Sequence, residues 1–132
     1  MKIVADTNVL LRAALHDDPL QARTAAELLQ NAELVAIPVT VFCEFVWVLR
    51  QGYKKSTAEI AGAIRRLMCS KSVATNRPAI EAGLKLLEKG GDFADGAIAY
   101  EGYWLGAEEF ASFDKKAVDL LQSQGKRVRL LV

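Results

Sequence analysis

The sequence predicts an α/β fold, a three-layer α/β/α sandwich around a mainly parallel central sheet, built by one domain over residues 1–132. Three observations predict it. Short apolar runs with β-branched residues, such as Ile3-Val4-Ala5 and Leu34-Val35-Ala36-Ile37, alternate along the chain with longer stretches at helical spacing. Strand and helix signals keep alternating to the C-terminus, the pattern of β-α units that pair strands in parallel. The 132 residues are 52% hydrophobic with mean hydropathy +0.13, enough for a core of ordinary size without disulfides.

The elements follow in order. Ile3 to Ala5 reads as a buried strand that ends abruptly at Asp6, and Val9 to Leu15 has the density of a helix. Asp17-Asp18-Pro19 breaks the chain and opens a second helix, with Pro in its first turn. Gln21 to Gln30 continues that helix, and Glu33 to Pro38 is a second short strand closed by the proline. Val39 to Arg50 is apolar almost all round except for Glu44, which predicts a helix buried in the domain or at a subunit contact. Ser56-Thr57-Ala58-Glu59 is a capping-box signature opening a helix through Met68. Ser72 to Thr75 predicts a weak strand, and Asn76-Arg77-Pro78 opens a helix that stops at Gly90-Gly91. Asp92-Phe93-Ala94-Asp95 begins a helix to about Leu105, closed by Gly106. The pattern does not decide whether Tyr103 and Trp104 at its end are core. Glu109 to Asp114 reads as a strand ending in a carboxylate, Lys115 to Gln124 as a helix ended by Gly125, and Val128 to Val132 as the last strand.

Composition narrows the chemistry. The net charge of +1 is unevenly spread: residues 1–49 carry −3, residues 50–90 carry +6 and residues 91–132 carry −2. A basic middle between acidic ends suits a polyanion partner, and equally a solvated helical face. Cys43 and Cys69 fit no metal spacing and read as small buried hydrophobes. With His16 as the only histidine, mechanisms needing two imidazoles and His-rich zinc sites are excluded. Asp6 and Arg12 interrupt the N-terminal apolar run, so no signal peptide is expected. No stretch reaches the roughly 18 apolar residues of a membrane span, and a cytoplasmic protein is expected.

Four carboxylates stand out. Asp6 and Asp114 each end a strand, while Glu44 and Asp95 lie in helices that follow a strand or loop. In right-handed β-α alternation, strand C-termini and the helix N-termini after them share one edge, where ligands of open α/β sheets bind. Asp6 can also be read as a helix cap, and either Asp92 or Asp95 can cap the helix they begin. Glu44 interrupts Val41-Phe42-Cys43-Glu44-Phe45-Val46-Trp47, where an unpaired buried charge would be costly, so it should face a cation, an Arg or a polar cleft. Converging carboxylates raise one another's pKa unless a cation neutralises them. An all-oxygen set without His or thiolate selects a hard ion, Mg2+ or Mn2+, which serves phosphate chemistry by activating a bound water. No Walker-type loop is present, which argues against nucleoside triphosphate chemistry.

Val4-Ala5-Asp6-Thr7-Asn8-Val9-Leu10-Leu11-Arg12, Asp17-Asp18-Pro19-Leu20-Gln21, Glu44 in its apolar helix, Gly91-Asp92-Phe93-Ala94-Asp95-Gly96-Ala97-Ile98-Ala99 and Phe113-Asp114 together resemble the PIN domain. The nearest likeness is to the VapC-type toxins of bacterial toxin–antitoxin pairs, and it spans nearly the whole chain. The resemblance implies a metal-dependent endoribonuclease, usually a homodimer, that cuts RNA and is held inactive by a small antitoxin protein. It places the family's four acidic positions on Asp6, Glu44, Asp95 and Asp114, with Asp6, Asp95 and Asp114 as metal ligands for Mg2+ or Mn2+. Thr7, Asn8, Asp92 and Ser112 are expected to support them, Ser112 standing where the family often has Thr, and Phe113 replaces a frequent polar residue. Arg12, near the implied pocket, is a candidate RNA contact.

Rival readings are weaker. A haloacid-dehalogenase-type phosphatase needs a second Asp two residues after the first, where this chain has Asn8. A receiver-like phosphoacceptor would want a paired acidic cluster after the first strand. A degenerate PIN-like module that binds RNA or protein without catalysis is opposed by the presence of all four acids.

Overall fold

A computed structural model describes all residues from Met1 to Val132. The chain forms two compact units, Met1–Asn76 and Arg77–Val132. The architecture is α/β, mostly helical, and every strand pairing in it is parallel.

In the first unit, β1 (Lys2–Val4) leads into α1 (Thr7–Leu15), α2 (Pro19–Asn31) and β2 (Leu34–Ala36). Next come α3 (Val39–Trp47), a π-helical turn (Val48–Gly52), α4 (Thr57–Cys69) and β3 (Val73–Ala74). The strands form one sheet in the order β1-β2-β3, with Ile3 opposite Val35 and Val35 opposite Val73. Parallel neighbours need crossovers, which the helices supply. Each helix start has a local cause. Asp18 caps α2 through the Gln21 N–H at 3.1 Å, with Pro19 as its first residue. The capping box of α4 is complete: Ser56 Oγ accepts from the Glu59 N–H at 3.1 Å, and Glu59 Oε1 accepts from the Ser56 N–H at 3.0 Å.

The second unit comprises α5 (Arg77–Glu88), α6 (Phe93–Trp104), β4 (Phe110–Ser112), α7 (Lys115–Ser123) and β5 (Val128–Leu130). Strands β4 and β5 pair with Ala111 opposite Arg129, and α7 crosses between them. Leu86, Ala99 and Leu121 form a buried cluster, against which Tyr103, Phe110, Leu120 and Val128 pack. Helices α5 and α6 touch at backbone distance. A Cβ added to Gly96 would lie 2.5 Å from the Ala82 carbonyl oxygen, so only glycine permits this approach. Gly106 and Gly125 turn the chain after α6 and α7 at φ of 111° and 82°, a region that side chains disfavour.

Several expectations are corrected. Strand β1 is not buried throughout: Lys2 and Val4 face outward and only Ala5 beyond it is fully covered. The helix from Val39 is not buried all round either. It sinks Phe42, Phe45 and Val46 but leaves Glu44 and Trp47 exposed, because three residues per two turns suffice to seat one helical face. Nor does it run as α-helix to Arg50. It widens into the π turn, where the Tyr53 N–H reaches the Val48 carbonyl at 3.2 Å. Cys69 is exposed and Cys43 half-buried, so neither is the buried hydrophobe expected. No helix is long and apolar enough to cross a membrane.

Candidate active site

In the first unit Asp6 stands between β1 and α1. It adopts extended backbone, and its Oδ1 accepts from the N–H groups of Asn8 at 3.0 Å and Val9 at 3.4 Å. Asp6 is therefore a helix cap, but the cap uses one carboxylate oxygen and leaves Oδ2 outside it. The next residue, Thr7, turns its hydroxyl to α3 and donates to Glu44 Oε2 at 3.2 Å. Strand end and helix face are thus tied by a side-chain hydrogen bond spanning 37 residues of sequence. Glu44 meets neither an Arg nor a Lys; it is exposed and met by a hydroxyl, the polar surroundings among the alternatives expected for it. Asn8 contributes only its backbone N–H among these bonds.

The second unit repeats the strand-Asp-helix device. Asp114 follows β4 and caps α7 through Oδ1, which accepts from the Ala117 N–H at 3.1 Å. The Ser112 hydroxyl accepts from the Asp114 N–H at 2.9 Å, so the serine shapes the turn that presents the carboxylate. At the start of α6 the two aspartates divide the work. Asp92 is the cap, its Oδ1 accepting from the Ala94 N–H at 3.1 Å. Asp95, in the first helical turn, is half-buried and makes neither a cap bond nor an ion pair. Burial pushes its carboxyl above the ordinary range, and the negative charges of Asp92 and then Asp114 push it further. Asp92, Asp95 and Asp114 therefore share one electrostatic field.

Arg12 is placed differently from expectation. Its guanidinium is held at 2.9 Å by Asp17, and the Tyr53 hydroxyl donates to the other Asp17 oxygen at 3.3 Å. The hydrogen bond and charge of Asp17 raise the Arg12 pKa. Desolvation raises Asp17, but the bonds and charge of Arg12, a backbone bond and Tyr53 outweigh it and hold the carboxyl low. The Arg12–Asp17–Tyr53 link joins the end of α1 to the π turn and carries no signal in sequence, since Tyr53 lies 36 residues from Asp17.

An all-carboxylate donor set with hydroxyl support fits a hard divalent ion in kind. No three metal-ligating side chains are gathered into a ready cluster. Asp6 and Asp114 each keep a second oxygen outside their caps, and Asp95 has its charge disfavoured by burial and by the charges of Asp92 and Asp114. The sequence profile of the PIN domain matches residues 3–120. No curated protein matches the chain significantly.

Proposed function

The chain belongs to the PIN-domain family, whose members are generally nucleases, and on that premise we propose that it is a metal-dependent endoribonuclease acting as the toxin of a toxin–antitoxin pair. The observation that carries the reading is the separation of Asp92 from Asp95: the cap is satisfied by one, and the other is left half-buried, unpaired and electrostatically in need of a cation. In this proposal residues 1–132 work as one domain. Asp6, Asp95 and Asp114 hold Mg2+ or Mn2+, and Glu44 completes the acidic set.

When bound, such an ion would polarise a phosphoryl oxygen and lower the pKa of a water, the chemistry needed for attack on phosphorus as the P–O bond to the leaving ribose oxygen breaks and that oxygen takes a proton. The chain's own residues supply the rest. Asp6 and Asp114 are fixed by their caps, so their orientation costs little entropy on binding. Thr7 holds Glu44, and Glu44 takes up a proton from the attacking water or orients it. Ser112 sets the Asp114 turn. Single-stranded RNA is held mainly through its phosphates, so affinity falls steeply with salt. Arg12 contributes only if the Asp17 pair opens.

The test is cleavage of RNA in the presence of Mg2+ or Mn2+, against hydrolysis of a generic phosphate ester. Asp6→Asn and Asp95→Asn should each lose cleavage and metal binding together while keeping the fold. Full cleavage by either variant would overturn the assignment. For the partners, the reading is a homodimer that binds a small antitoxin, supported by the apolar surface that α3 leaves open at Trp47, 65% exposed. An inhibitor presenting an Arg to the carboxylates would displace the ion. Light scattering of the chain alone and with the product of the neighbouring gene decides; a strict monomer indifferent to that product refutes both.

A further inference from the structure

A cavity of about 280 Å³ opens beside α6 in the second unit, on residues that the proposed chemistry does not use. Its floor is small: Ala82, Gly96 and Ala99 lie where α5 and α6 approach at backbone distance. Its walls are aromatic. Tyr100 and Tyr103 line it from α6, and Trp104 stands at its mouth with 76% of its surface exposed. Tyr103 is fixed because its hydroxyl donates to the Arg127 carbonyl at 2.7 Å. At the rim stand two polar groups, Gln124 and Lys126, and the lysine forms no ion pair.

This exposed indole flanks a hollow rather than a flat surface. The volume is at the small end for ligand sites, room for one planar ring system rather than for a helix or a peptide. Aromatic walls offer π-faces, Gln124 offers a donor and an acceptor for a base edge, and Lys126 offers a cation for a phosphate. Trp104 lies nine residues on from Asp95, about 14 Å along α6 at about 1.5 Å per residue and on the opposite side of the helix at about 100° per residue. From this geometry we infer that the α6 cavity binds one unpaired nucleobase of single-stranded RNA, stacked on Trp104 with its phosphate on Lys126. The inference rests on the nuclease reading for its substrate class. It predicts a preference for unstacked RNA over duplex.

The test uses the whole chain in EDTA, so that binding is read without cleavage. Trp47→Phe leaves Trp104 as the sole tryptophan, since the chain has 2. A single-stranded RNA octamer should quench its fluorescence saturably, and an octamer of the same length with abasic positions should not. Trp104→Ala should weaken octamer binding roughly 5- to 100-fold and Trp104→Phe should restore most of it. Lys126→Gln should lower the slope of log affinity against log salt by about 1. Equal binding by Trp104→Ala, equal quenching by the abasic octamer, or no binding at all overturns the inference. So does a dimer that Trp104→Ala converts to monomer, which would make the cavity a subunit contact. Binding through Trp104 in a chain that cuts no RNA with metal added would sink the nuclease reading alone. Cleavage without Trp104 quenching would sink the cavity alone.

Discussion

The Thr7 hydroxyl donates to Glu44 Oε2 at 3.2 Å, joining the first residue of α1 to the middle of α3. This bond is the one side-chain contact that holds Glu44, which otherwise stands exposed on its helix. Thr7→Val keeps the β-branched shape and deletes the donor. A hydrogen bond of this kind is worth about 0.5–1.5 kcal/mol net, so RNA cleavage should fall roughly 3- to 10-fold, while Mg2+ affinity, assigned to Asp6, Asp95 and Asp114, stays near wild type. A cleavage assay checks it, with Mg2+ titration as the control; wild-type cleavage would show that Glu44 needs no holding.

Asp92 and Asp95 should separate cleanly in stability and function. Asp92→Ala removes a satisfied cap and should cost about 1 kcal/mol in urea unfolding. Asp95→Asn removes a charge that its surroundings disfavour and should leave stability equal or higher, while abolishing cleavage. If Asp92→Asn were the inactive variant and Asp95→Asn the active one, the roles would be reversed.

The Asp95 carboxyl also predicts a pH dependence of the metal-free chain. Its folded pKa lies above the unfolded value, so within that window the folded state binds more protons than the unfolded one. Stability therefore falls as pH rises from the ordinary aspartate range through the raised folded pKa, and the penalty is fully present above it. Below the window nothing is lost. Urea midpoints measured across this range in EDTA should show the fall in wild type and a flatter profile in Asp95→Asn. Saturating Mg2+ should shrink the difference, because an ion bound only to the folded state stabilises it.

Two glycines of α6 should answer substitution in opposite directions. Gly96→Ala places a Cβ 2.5 Å from the Ala82 carbonyl and 2.9 Å from Gly83 Cα, so α5 and α6 must part. A loss of about 1–3 kcal/mol is expected. Gly102 meets nothing within 4 Å, and Gly102→Ala should stabilise by about 0.5–1 kcal/mol through helix propensity. Thermal melts decide, and a stable Gly96→Ala would contradict the close approach.

Local chemistry made much of the fold and part of the site legible in the residues themselves. Asp18-Pro19 and Ser56 to Glu59 start helices because caps and fixed φ act over four residues, and the structure starts α2 and α4 there. Strand-Asp-helix junctions at Asp6 and Asp114 follow from the same short-range rules. What tertiary structure decided lies beyond the reach of spacing. A D-x-x-D pair does not say which aspartate caps α6, since either geometry is locally possible; helix packing buried Asp95 and left the cap to Asp92. An apolar helix does not announce which side is outward, so the exposure of Glu44 and Trp47 came from where Phe42, Phe45 and Val46 found partners. Arg12 could be read as a free cation until the chain returned Asp17 and Tyr53 to it. The hollow beside Trp104 is lined from α6 and from residues as far along the chain as Leu121, Gln124 and Lys126, a juxtaposition set by packing and absent from any local pattern.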